Sequence, residues 1–285
     1  MINFKQCLVG AVLIVLGGCG AVQERPLLVE EHERYLRLGD MNYRKGDLVA
    51  AQVAYQQAAT YAESIDDHRA IAVSRLNAGQ VALLLGDSSS AENEYRLVQG
   101  LEVIAIDVSF DYLAELGLAE VATSQGNFDI ALGRYNRLLI GAAKMPPRIE
   151  AKARNGLALI YLRLGNRSES LAEVNAALVL AQGNGLRREE AAAYANRAHA
   201  QLEAGNLAIA KSDAEQALII DREVRQPVLI ANDLTLLGRI AILTNRKNEG
   251  LDFYRQARRI YRLAGQVTEQ KKLDKLIEVI NAGTK

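Results

Sequence analysis

The sequence predicts an all-α chain organised as a solenoid of about six helix pairs, and three observations carry that reading. A turn dipeptide recurs as Gly46-Asp47, Gly86-Asp87, Gly126-Asn127, Gly165-Asn166 and Gly205-Asn206, with Asn245-Arg246 in the same place once more, at steps of 40, 40, 39, 40 and 40 residues. A constant period in this range is the mark of stacked repeats, each burying its apolar face against the next. Composition agrees: 49% of the 285 residues are apolar but only 5% aromatic, there are four prolines, and Ala and Leu are abundant, which favours helices. From Glu31 onward no run of useful length alternates with period two, so strands are not expected.

The N-terminus reads as a targeting segment. Lys5 is followed by the apolar core Cys7–Leu16, and roughly ten residues are too few to cross a ~30 Å hydrocarbon layer. A signal peptide over residues 1–18 is the better reading, ending in Leu16-Gly17-Gly18-Cys19. This stretch resembles a bacterial lipobox, which implies lipidation of Cys19 and a membrane anchor; a plain secretory signal is the alternative. Gly20 after the cysteine implies, by the same resemblance, the outer membrane of a Gram-negative cell, with the protein facing the periplasm. Residues 19–31, containing Pro26, read as a lipidated tether, and about twelve residues reach at most ~40 Å.

The repeats occupy residues 32–266. Seven residues before each turn stand Gly39, Gly79, Ala119, Ala158, Ala198 and Gly238; five after it stand Ala51, Ala91, Ala131, Ser170, Ala210 and Gly250. Small residues in register on facing helices let backbones approach closely. Tyr55, Tyr95, Tyr135 and Tyr254 share a further column, with Val174 and Ala214 in its other two places, and are expected to fill the space where the next unit stacks. The Gly is expected to end the first helix in a left-handed conformation and the Asp or Asn to start the second. Pro146-Pro147 and Pro227 fall at repeat junctions, where a helix break is expected. Residues 267–285 read as a capping helix and tail, with Leu273, Leu276, Ile277 and Ile280 as its apolar stripe.

Taken together, Tyr35, Leu38, Gly39, Gly46, Ala51, Tyr55 and Ala58 in the first unit, and Leu157, Ala158, Tyr161 and Gly165 in the fourth, resemble the tetratricopeptide repeat. Asn42, Ser170, Val174 and Asn245 depart from its pattern. The usual period of that family is about 34, so the longer unit here is closer to the kinesin light chain type. The resemblance implies a right-handed superhelix whose first helices line a concave groove. It places Leu36, Asp40, Tyr43, Asn77, Gln80, Glu120, Thr123, Asn155, Asn196, His199, Thr235 and Arg239 on that groove. Asn77, Asn155 and Asn196 would form a ladder of amides able to bind the backbone of an extended peptide; hydrogen bonding to a neighbouring helix is the alternative use of the same residues.

No catalytic constellation is visible. His32, His68 and His199 are far apart and lack ligand spacing, and the two cysteines, Cys7 and Cys19, are both N-terminal, so neither a metal nor another cofactor is expected. Gly183-Asn184-Gly185 is read as an inter-repeat turn rather than a phosphate loop. The formal net charge of +0 gives nucleic acid no global attraction. Charge is nonetheless uneven: six acids and no Lys or Arg lie between Leu97 and Gly133, whereas Arg246–Lys275 carries nine Lys or Arg against four acids. The outcome is a non-enzymatic, membrane-anchored scaffold or adaptor for protein partners of the cell-envelope machinery, in peptidoglycan synthesis or hydrolysis, with homo-oligomers possible. A pilotin-type assembly lipoprotein for a type IV or Tad pilus secretin is the alternative, and a carbohydrate-binding protein or enzyme using the groove is the alternative of another class.

Overall fold

A computed structural model describes residues 27–101, 107–140 and 145–282. The signal segment and Cys19 lie outside the described residues. Among those described there are thirteen helices and no strand: α1 (Leu27–Lys45), α2 (Leu48–Ser64), α3 (His68–Leu84), α4 (Ser88–Gln99), α5 (Ser109–Ser124), α6 (Phe128–Ile140), α7 (Pro147–Arg163), α8 (Arg167–Gly183), α9 (Arg187–Glu203), α10 (Leu207–Glu223), α11 (Pro227–Leu243), α12 (Lys247–Leu263) and α13 (Val267–Ala282). They form six helix pairs and a final single helix, an α-solenoid. Helix α1 begins at Leu27, inside the stretch read as tether; Leu27, Leu28 and Glu30 are good helix formers, and the next turn, with His32 buried, already packs.

The turns within the pairs are alike because one backbone motif makes them all. At Gly46, Gly86, Gly126, Gly165 and Gly205 φ lies between +75° and +82°, and Asn245 takes the same place at +58°. The next residue's amide reaches back five positions, as in Asp47 N→Asn42 O at 3.0 Å and Arg246 N→Ala241 O at 2.8 Å, a Schellman closure. A second series of left-handed residues closes the turns between repeats: Asp66, Gly185, Arg225 and Gly265. Gly183-Asn184-Gly185 is such a turn, leading from α8 into α9.

The capping residues divide by type. Asp47 and Asp87 accept from the amides of Ala50 and Ser90 at 3.1 and 3.0 Å, and Asp67 does the same for Ala70 at 2.9 Å. Asn166 and Asn206 make no side-chain cap; the Asn206 amide donates instead to Gln201 at 2.8 Å. Capping by the side chain is therefore seen at Asp47 and Asp87 but not at Asn166 or Asn206, and at Asn206 the amide is used on Gln201 instead.

The small-residue columns are buried as expected, and their tyrosines span two gaps. A Cβ added to Gly39 would fall 2.5 Å from the Tyr55 ring, and one at Gly238 would fall 2.6 Å from Tyr254, both within a repeat. Tyr95 and Tyr135 also press on the next repeat, where a Cβ at Gly117 or Gly156 would stand 2.4 Å from the ring. Ser170, in the column otherwise held by Ala and Gly, is tolerated because its hydroxyl donates to Ala158 O at 2.8 Å.

Helix α13 closes the stack with Leu273 and Ile277 buried and Ile280 packed beside them. Leu276 is 37% exposed, so it does not belong to the capping stripe: 100° per residue turns it off the face set by Leu273 and Ile277. No described helix is long and apolar enough to cross a membrane.

Candidate binding groove

The first helices of successive repeats, α1, α3, α5, α7, α9 and α11, touch one another, whereas the second helices have no comparable contacts with each other. Curvature brings the first helices together, so they form the concave wall. The solenoid curls until its first turn meets its last: a Cβ on Gly46 would lie 3.5 Å from Ala264 Cα. Around this seam the turns at Lys45–Val49, Leu83–Gly86 and Leu263–Glu269 line a cleft of about 710 Å³. The concave face is thereby enclosed on its side, and residues distant in sequence oppose one another across it.

Tyr43 on α1 shows this most directly. Its phenol is held above the ordinary value by burial, with Arg188 of α9 opposing the shift and Glu120 of α5 adding to it. Glu120 on α5 is half-buried, and the lost hydration raises its carboxyl; Lys152 of α7 works against this. His199 presents open surface but is likewise surrounded, so desolvation lowers its pKa, and Arg239 and Arg163 lower it further while Glu203 opposes. Both groups sit in a concavity, reached by water but poorly hydrated.

The other residues expected on the groove divide in use. Asn77 and Gln80 are half-buried on α3. Asp40 accepts from the Tyr55 hydroxyl at 2.8 Å and ties α1 to α2. Leu36 packs beside the core around Ala51 and Tyr55. Thr123 and Thr235 each donate to a carbonyl of their own helix, Ala119 O and Ala231 O, at 2.8 Å. Arg239 bridges to Glu203 at 3.0 Å. Asn155 is buried, donating to Glu189 O at 3.1 Å, with its own side-chain oxygen unpartnered among the described residues; Asn196 donates to Asn155 O at 3.2 Å. Two members of the expected amide ladder thus stitch α7 to α9, because on tightly spaced inner helices the neighbouring backbone lies within reach of a short amide. The groove's cations Lys152, Arg163 and Arg188 were not singled out in the sequence; the available signal was basic residues on first helices of repeats four and five.

Among the described residues no group of three or more His, Cys, Asp or Glu could hold a metal ion. No protein-family model matches the chain, and no curated protein matches it. Solved structures do. The Rap protein complexed with competence and sporulation factor is similar at a TM-score of 0.66 and 12% identity, covering 93% of this chain and 78% of that one. BtubC from P. vanneervenii matches at 0.53 and 19% identity, covering 83% and 91%. A signal transduction ATPase with a tetratricopeptide repeat sensor from Pyrococcus horikoshii matches at 0.56 and 16% identity, covering 86% of this chain and 40% of that one. At these identities the likeness establishes the fold, a solenoid of the tetratricopeptide type.

Proposed function

We propose that this chain is a scaffold that receives a segment of a partner protein in its concave groove, held at the periplasmic face of the outer membrane by lipid on Cys19. The observation that carries the binding reading is the enclosed groove, where Tyr43, Glu120, Lys152 and Arg188 from four different repeats oppose one another. Poorly hydrated polar groups of both signs bind strongly to a peptide that satisfies them, because little water must be displaced. A Rap protein of the same fold was solved with competence and sporulation factor bound, which shows that such a solenoid accommodates a ligand. Support for the anchor is the sequence Leu16-Gly17-Gly18-Cys19, and a tethered groove suits an adaptor of envelope machinery, with peptidoglycan synthases or hydrolases as its partner class.

The test is crosslinking capture from membranes with Cys19 intact. Tyr43→Ala combined with Asn77→Ala and Gln80→Ala should lose the captured partner, while Asn155→Ala, whose amide serves packing, should keep it at reduced stability. Capture unchanged in the triple variant would refute groove binding. Cys19→Ser should move the protein to the soluble fraction, and persistent membrane association would refute the anchor.

A further inference from the structure

A second feature lies on α12, outside the groove. Arg255, Arg258, Arg259 and Arg262 follow one another at spacings of three, one and three residues, which places them on one side of the helix over about 10 Å. With Gln270 and Asp274 of α13 they line a cleft of about 370 Å³. Its single carboxylate, Asp274, accepts from Arg258 at 3.0 Å and from Gln270 at 3.4 Å. Arg255 turns to Asp252 on its own helix at 2.8 Å. Arg259 and Arg262 have no acidic partner among the described residues.

Arginines earlier in the solenoid are arranged differently. Arg75, Arg134 and Arg154 each reach a carboxylate on the partner helix of their own repeat, Glu94, Glu115 and Glu173, at 2.7, 2.7 and 2.8 Å. Arg197 pairs with Asp213 at 2.7 Å. Each of these four guanidinium groups is neutralised across its own helix pair. In the cleft at α12 Arg255 and Arg258 each have one carboxylate, Asp252 and Asp274, while Arg259 and Arg262 beside them have none among the described residues, and like charges gathered in a concavity repel unless an anion joins them.

We propose that this cleft binds a phosphate-bearing anion, either a free polyphosphate or the headgroup of an anionic phospholipid. The surplus is of N–H donors as well as charge: each guanidinium offers five in a rigid fork. A carboxylate supplies two oxygens and one charge, whereas a phosphate group supplies more acceptor oxygens and up to two charges, so phosphate matches two unpartnered guanidinium groups better. The volume suits a small anion. Leu263, next to Arg262, is 73% exposed, which fits the lipid source; the two sources share the chemistry and are separated by experiment.

The full chain in mild detergent is titrated calorimetrically with sodium tripolyphosphate at low salt. In parallel, its flotation with vesicles of phosphatidylglycerol is compared with flotation on phosphatidylcholine, so that any contribution of the N-terminal segment cancels. Saturable tripolyphosphate binding that weakens about tenfold or more in Arg259→Gln/Arg262→Gln is the expected result. An additional, Arg-dependent excess on phosphatidylglycerol would identify the lipid as the source, and tripolyphosphate binding without that excess the free anion. The milder Arg259→Lys/Arg262→Lys pair should weaken binding by a smaller factor and guards against misfolding of the Gln pair. Absence of binding to both probes, binding unchanged in both double variants, or tighter Arg-dependent binding of a Glu-rich peptide than of tripolyphosphate would each overturn the assignment.

Discussion

Two junctions of the solenoid, 40 residues apart, occupy the same register with opposite chemistry. Where α8 meets α9 the register is held by Ala181 and Ala193, both 0% exposed. Where α10 meets α11 it is held by Asp221 and Asp233, 3% and 2% exposed. Ala62 with Ser74, and Tyr261 with Leu273, take the corresponding places near the two ends of the stack, all four buried. The acidic pair leaves Asp221 Oδ1 and Asp233 Oδ2 without hydrogen-bond partners among the described residues. Burial pushes both carboxyls up; Arg188 opposes this at Asp221, while the nearby Asp221 raises Asp233 further. Both therefore hold their protons to higher pH than an exposed carboxyl does. In a stack whose stability is a sum of neighbouring interfaces, one costly junction is tolerated if the others are sound. Each junction needs buried volume, but the chemistry filling it can vary.

Transplanting the acid sharpens this contrast most. Ala193→Asp would bury a carboxylate where Ala181 and Ala193 are fully covered, and should cost about 3 kcal/mol or more, read as a lower denaturation midpoint at unchanged slope. Overfilling a small-residue site tests the shared requirement for volume: Gly156→Ala sets a Cβ 2.4 Å from the Tyr135 ring, and should cost about 1–3 kcal/mol by the same measurement. A cost near zero would show that the Tyr135 ring can yield.

Neutralising one acid should act in the other direction. Both folded carboxyls lie above their unfolded values, so the folded chain holds more protons. The pair's contribution to stability is then most favourable below the ordinary carboxylate range and is lost as pH rises through neutrality. Asp233→Asn should gain about 1 kcal/mol near neutrality and flatten that part of the pH profile; a melting temperature that changes with pH as in the parent would break the comparison. The smallest effect concerns the turns. Asp87→Ala should cost about 1 kcal/mol and Asn206→Ala only a few tenths, because Asp87 caps α4 at 3.0 Å while Asn206 caps nothing.

Much of this was legible in the chain. The turn series at Gly46, Gly86, Gly126, Gly165 and Gly205 and the columns of Gly39 and Ala51 specify a solenoid with its helices in register, because left-handed turns and close backbone approach each demand particular residues. Asp221 and Asp233 were not legible as a pair. Twelve residues apart in sequence and on different helices, they meet only because α11 packs on α10 in one register. Asn155 and Asn196 were legible as inner-helix residues, but not their use, since an amide facing a groove and one bonded to the next helix share the same sequence position.

The sequence by itself determined the repeat count, the placement of the turns, the paired helices and the general inner side, because periodicity and backbone preferences are local. Tertiary structure decided that the first turn meets the last, that Tyr43 opposes Arg188 and Glu120, and that Arg259 and Arg262, beside Asp274, have no acidic partner among the described residues. Those outcomes follow from small rotations between repeats added over the whole stack. Which side chains finally oppose one another is a property of that sum, and no single repeat carries it.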